Sequence, residues 1–113
     1  MNLASWANDR ATVTVPGTYE ERGDVLDDWD APAAVFPLRG LFEPGPGDVD
    51  PDAYAVSITG TFRARGGREV PAKARVDVEG FGTYGLASDG QRVRSATGAL
   101  NHVLLVLTRW EVR

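Results

Sequence analysis

Apolar and polar residues alternate along most of the chain. Val13 and Val15 are spaced by two in RATVTVP, Val76 and Val78 in ARVDVEG, and Tyr54, Val56, Ile58 and Phe62 in YAVSITGTF, where Gly60 leaves one slot empty. A period of two arises when one face of a strand packs on a core and the other meets water. The pattern predicts strands over residues 11–16, 34–42, 54–64, 73–78, 81–86 and 102–112. Arg65-Gly66-Gly67 and Ser88-Asp89-Gly90 are tight-turn signals, and Glu79-Gly80-Phe81-Gly82 reads as a hairpin or bulge. Pro37 lacks an N–H, which puts the second strand at an edge or gives it a bulge. The last strand is apolar on both sides: Val106, Thr108 and Trp110 share one face, Leu105, Leu107 and Arg109 the other. Such a strand is central or packed against another chain, so one face reads as core and the other as interface.

Two segments are longer than strand packing requires. PGTYEERGDVLDDWDAP (residues 16–32) and EPGPGDVDPDA (residues 43–53) read as long loops. Residues 1–9 read as an N-terminal arm, with Leu3, Trp6 and Ala7 at helical spacing, or as a frayed terminus. Thirteen glycines and seven prolines interrupt every longer helical stretch. The expected fold is therefore all-β: one domain over residues 1–113, a small antiparallel β-barrel of about six strands with two long loops. Closure into a barrel removes the edges that so β-rich a chain must otherwise protect.

A chain of 113 residues suits one domain with its own core. The absence of cysteine excludes disulfides and thiolate metal sites. The opening MNLASWANDR has neither the basic start nor the apolar run of a signal peptide. The longest apolar run, Val103 to Leu107, is too short to span a bilayer, and no membrane partner is expected. The net charge of −4 argues against a dedicated nucleic-acid binder. The charges are unevenly placed. EERGDVLDDWD (residues 20–30) holds six acids and one arginine, while Arg63, Arg65, Arg68, Lys73 and Arg75 are offset only by Glu69. This asymmetry predicts two differently charged surfaces; solvated loops are the plainer reading.

Candidate chemistry is sparse. His102 is the single histidine. A Ser-His-Asp arrangement lacks its Gly-x-Ser-x-Gly elbow, Ser95 lying in a turn without that context. Metal binding through His102 has no supporting carboxylate spacing. Asp48, Asp50 and Asp52 alternate in DVDPD and invite a calcium reading, but Ala53 and Thr59 stand where a loop starting at Asp48 needs Gly and Glu. GPG and RGG lack the context of a phosphate loop. No enzymatic activity, catalytic residue, metal or cofactor is expected. His102 reads as a structural pin, its imidazole placed to bond a backbone carbonyl or a carboxylate where the chain enters its last strand.

The same region carries a likeness. RVRSATGALNHVLLVLTRWE (residues 92–111) resembles the C-terminal segment of head-to-tail stopper proteins of long-tailed phages infecting actinobacteria. Ser95, Thr97, Gly98, Ala99, Leu100 and His102 match a Ser-x-Thr-Gly-Ala-Leu-x-His turn followed by an apolar strand. Gly23, Asp28 and Trp29 after ATVTVP, Gly40 and Glu43-Pro44 after the second strand, and ARVDVEGFGTYGL (residues 74–86) are similar to the family as well. The likeness spans residues 10–112, although Gly82 and Gly85 stand where larger residues are expected.

The resemblance implies a structural protein of the virion neck, assembled in the host cytoplasm. It implies a homo-oligomer, a six-fold ring below the portal and head–tail adaptor. The ring closes the DNA channel, docks the tail terminator or tail tube, and lets genomic double-stranded DNA pass without sequence reading. The channel-gating loop would be Glu43, Pro44, Gly45, Pro46, Gly47, Asp48, Asp50 and Asp52; an exposed loop without contacts is the alternative. Adaptor or subunit contacts would fall on Asp24, Asp27, Asp28 and Trp29 and on Arg63, Arg65, Arg68 and Lys73, with Trp29 either anchoring a partner or folding back on its own barrel. Thr97, Gly98, Asn101 and His102 would form a structural turn. A tail terminator or head–tail adaptor is the second reading, and a small β-barrel binding module with a concave pocket the third.

Overall fold

The computed structural model describes residues 8–45, 48–50, 55–94 and 100–112. These residues form strands and no helix: β1 (Asp9–Val15), β2 (Gly17–Glu21), β3 (Asp24–Asp28), β4 (Ala34–Pro44), β5 (Asp48–Asp50), β6 (Ala55–Arg65), β7 (Arg75–Val78), β8 (Gly82–Leu86), β9 (Gln91–Arg94) and β10 (Leu100–Val112). The ring β6-β4-β1-β7-β8-β10 closes through the pairing of β10 with β6, giving a six-stranded barrel whose pairings are all antiparallel. Its members are the strands that alternation predicts.

Alternation places the core. Phe36, Leu38 and Phe42 of β4, Ala11 and Val13 of β1, Phe62 and Ala64 of β6, Val76 and Val78 of β7, Tyr84 of β8 and Val103, Leu105 and Leu107 of β10 all point inward and are buried. Each large apolar side chain so buried contributes roughly 1.5–3 kcal/mol relative to exposure. The longest pairing runs from His102↔Arg65 to Val112↔Ala55 and forms the spine of the barrel. Pro37 lies where β4 has only β1 beside it, because pairing with β6 starts at Gly40↔Ala64. It thus occupies a local edge. At Gly40 the two strands come so close that a β-carbon would collide with the backbone carbonyl of Arg63.

Both segments expected as long loops contain strands. Within 16–32, β2 and β3 form a separate two-stranded sheet. Arg22 and Gly23 have positive φ (53° and 86°), as a two-residue type I′ hairpin turn requires. Within 43–53, β4 continues to Pro44 and pairing on β6 resumes with β5. The partners are Pro44↔Gly60 at the end of β4 and Asp48↔Ser57 at the start of β5. Ser88-Asp89-Gly90 is not a hairpin turn: β8 and β9 run in the same direction along the same edge of β10. The expected arm over residues 1–9 reaches too far along the chain. Asp9 opens β1, and its carboxylate accepts the N–H of Phe42 at 2.9 Å, tying the start of β1 to β4; residues 1–7 lie outside the described residues.

Candidate functional site

Among the described residues, the barrel interior is packed with the apolar core. One end is filled by Phe42, whose ring centroid lies 4.5 Å from Phe81 and 5.6 Å from Tyr84, with the Arg109 guanidinium 4.5 Å over the Tyr84 ring. The other end is crossed by residues 66–74. There Val70 is buried and its carbonyl accepts the Gly90 N–H at 2.8 Å, Arg68 lies 3.9 Å over Phe36, and the Asp89 carboxylate accepts the Ala72 N–H at 2.7 Å. A groove of about 840 Å³ runs between the start of β4 and the segments around 68–71 and 89–92, lined by Val15, Phe36, Arg68, Val70, Asp89 and Arg92 among others. Its polar groups serve local structure: Arg92 is paired with Glu69, and Arg68 and Asp89 make the contacts just given.

What remains is outside the barrel. The radius of gyration is 15.7 Å, against about 13 Å for a compact chain of this length. The β2–β3 hairpin and β5 lie outside the closed six-strand ring. The β2–β3 hairpin is exposed on both faces. Tyr19 opposes Leu26 on one face and Glu20 opposes Val25 on the other, with Val25 70% exposed. Residues 17–28 hold five acids and one arginine, leaving eleven of each sign in the rest of the chain, so this hairpin carries the entire net charge of −4. Its base is fixed. The Asp28 carboxylate accepts the N–H groups of Asp30 (3.0 Å) and Ala31 (3.2 Å), Gly17 passes against the Ala31 carbonyl where no β-carbon would fit, and Arg75 of β7 stacks 3.6 Å over the Trp29 ring. Trp29 therefore folds back on its own barrel.

The second projection is the continuation of β4, β5 and β6. Its hairpin is braced along β6 by β10, which pairs with residues 55–58 through Arg109 to Val112. Glu43, Pro44 and Gly45 are exposed, and the Gly45 N–H donates to the Thr59 carbonyl at 2.9 Å. Asp48 and Asp50 face Ser57 and Ala55 in the backbone register. Pro46, Gly47 and Asp52 lie outside the described residues.

The expected basic cluster is only partly assembled. Arg63 and Arg65 lie on one face of β6, beside Leu104 and His102 of β10; Arg63 is 4.0 Å from Glu43. Arg68 is committed to Phe36, and Lys73 stands in the turn before β7. His102 sits between Arg65 of β6 and Val93 of β9, beside a register shift in the β9–β10 pairing. Burial, and secondarily the Arg63 charge, hold its pKa below the ordinary 6.5. Thr97 and Gly98 of the expected turn lie outside the described residues; Asn101 belongs to β10. Composition-led reading overlooked Tyr19, Val25 and Leu26, hidden among acids. Their signal was the Arg-Gly turn flanked by matching apolar positions. No protein-family model, curated protein or solved structure matches the chain.

Proposed function

We propose that the chain is a non-enzymatic structural protein of a phage virion, a head-to-tail stopper whose copies form a ring that closes the DNA channel and docks the tail. The observation that carries this reading is the braced β4–β5–β6 projection. A packed barrel with a strand-paired extension suits a part that reaches into a channel, and its Asp48 and Asp50 belong to the segment that the family resemblance assigns to gating. Several copies of these aspartates around an axis repel both DNA phosphate and one another, which favours a gate that holds yet opens. The filled interior counts against the binding-module reading, which needs a concave apolar pocket. The absence of helix among the described residues counts against a helical adaptor.

Electron microscopy of particles made without this chain tests the proposal. A stopper predicts leaky or empty heads beside separate tails of normal length. DNA-filled heads beside overlong tails would move the chain to tail termination, and normal infectious virions would refute a neck role altogether.

A further inference from the structure

We infer that the Tyr19–Leu26 face of the β2–β3 hairpin in one copy docks on the outer face of β6 and β10 in a second copy, with Glu21 and Asp24 meeting Arg63 and Arg65. This inference rests on the assembly role proposed above and names its contact.

Three observations carry it. First, the hairpin is unfinished in the single chain. An isolated two-stranded sheet is marginal in water, yet this one is exposed on both faces and holds Tyr19, Val25 and Leu26 at 40–70% exposure. Glu21 stands directly opposite Asp24 on the face that carries Tyr19 and Leu26. Like charges so placed destabilise the pair, and a cationic partner reverses the sign of that term.

Second, the barrel offers a matching surface. With Phe62, Ala64, Val103, Leu105 and Leu107 turned into the core, alternation turns Arg63, Arg65, His102, Leu104 and Val106 to the outer face, where His102 is half-buried with its Nε2 shielded from solvent. Leu104 and Val106 are half-buried; Arg63 stands opposite Leu104 and Arg65 one pair further along, opposite His102, so an apolar strip with cations at one end faces the Tyr19–Leu26 pair with Glu21 and Asp24 at one end. Glu43, 4.0 Å from Arg63, is the acid on this face and offsets part of its charge.

Third, the two surfaces cannot meet within one chain. The hairpin follows β1 and is fastened to β7 through Trp29 and Arg75. In the closed strand order β6-β4-β1-β7-β8-β10, β1 lies three strands from β10 in either direction, and β7 three strands from β6. Complementary patches on opposite sides of a body make a head-to-tail contact, which propagates from copy to copy and closes a ring when the rotation allows.

Paired charge reversals test the contact. One variant carries Glu21→Lys and Asp24→Lys; the other carries Arg63→Glu and Arg65→Glu. Sedimentation velocity reports association, and the ring resonances of His102, the only histidine, report occupancy of the docking face. The wild-type chain is expected to self-associate between micromolar and millimolar concentration, with a matching shift of the His102 signals. Each variant alone should associate at least about tenfold more weakly. An equimolar mixture of the two should recover association, because each hairpin then meets a face of opposite charge. Recovery also shows that both variants are folded. A wild-type chain that stays monomeric with an unmoved His102 signal, a single variant that associates like wild type, or a mixture that fails to recover would each overturn the inference. Normal virions made without this chain would instead remove the stopper role and leave the measured contact standing.

Discussion

The guanidinium of Arg109 occupies the space that a β-carbon on Gly82 would fill. Gly82 has φ of +104°, and the same guanidinium stacks on Tyr84, so one glycine admits the cation that seals the aromatic end of the barrel. Gly82→Ala combines a collision with a left-handed backbone and should lower stability by about 1–3 kcal/mol. In the Arg109→Ala background the collision is gone, so the cost of Gly82→Ala should shrink to its backbone part. Urea midpoints of the two single variants and the double variant read this coupling; strict additivity would refute the packing described.

Gly40 and Gly90 predict a graded pair. A β-carbon at Gly40 meets the backbone of Arg63 and Ala64, which cannot yield without separating β4 from β6. At Gly90 it meets methyl groups of Leu105 and Val103 at 2.9 Å, side-chain rather than backbone atoms. Gly90→Ala should cost about 1–3 kcal/mol and Gly40→Ala more. Thermal unfolding of both variants checks the order, and equal or reversed losses would contradict this account of closure.

The hairpin anchor predicts a local effect. The Arg75–Trp29 stack contributes about 0.5–1 kcal/mol at an exposed site. Arg75→Gln should leave the core intact while amide exchange over residues 17–28 speeds up relative to β6 and β10. Unchanged exchange in the hairpin would mean that Trp29 does not hold it.

The shape of the barrel was legible in the sequence because its code is local. Val13, Val76, Val78 and Phe62 announce their faces by spacing alone. The β2–β3 hairpin was hidden because five acids mask the Tyr19–Leu26 pairing and the turn uses Arg22 where asparagine or glycine is usual. β9 was hidden because QRVR holds a single apolar residue and is a strand only through its neighbour β10. The role of Gly82 depends on Arg109, which is remote in the chain, and no local pattern reports it. The basic cluster looked continuous in sequence, but Arg63 and Arg65 leave β6 on its outer face while Arg68 turns over Phe36.

His102 sets a pH dependence. Its folded pKa is depressed, first by burial and then by Arg63, so the unfolded chain binds the proton more readily. The stabilising contribution of the neutral imidazole is complete above the ordinary value of 6.5 and is lost as pH falls from there through the lower folded value. His102→Gln should flatten the stability profile between pH 7 and the onset of carboxylate titration. Arg63→Gln should raise the His102 pKa only part of the way, since burial is the larger cause. Proton NMR titration of the single histidine measures both, and a folded pKa above 6.5 would reverse the sign.

The gate reading predicts that Asp48→Asn with Asp50→Asn, in the projecting hairpin, changes genome retention or the ejection rate without changing the barrel. Retention assayed by nuclease sensitivity of packaged DNA reads it directly, and an unchanged profile would count against gating by these residues.

The central claim is most directly tested by reconstructing the neck of the intact virion by cryo-electron microscopy. The account predicts a ring of these barrels between the adaptor and the tail, with each β4–β5–β6 projection directed at the channel axis. A neck resolved to the level of strands that holds no copy of this barrel would contradict it.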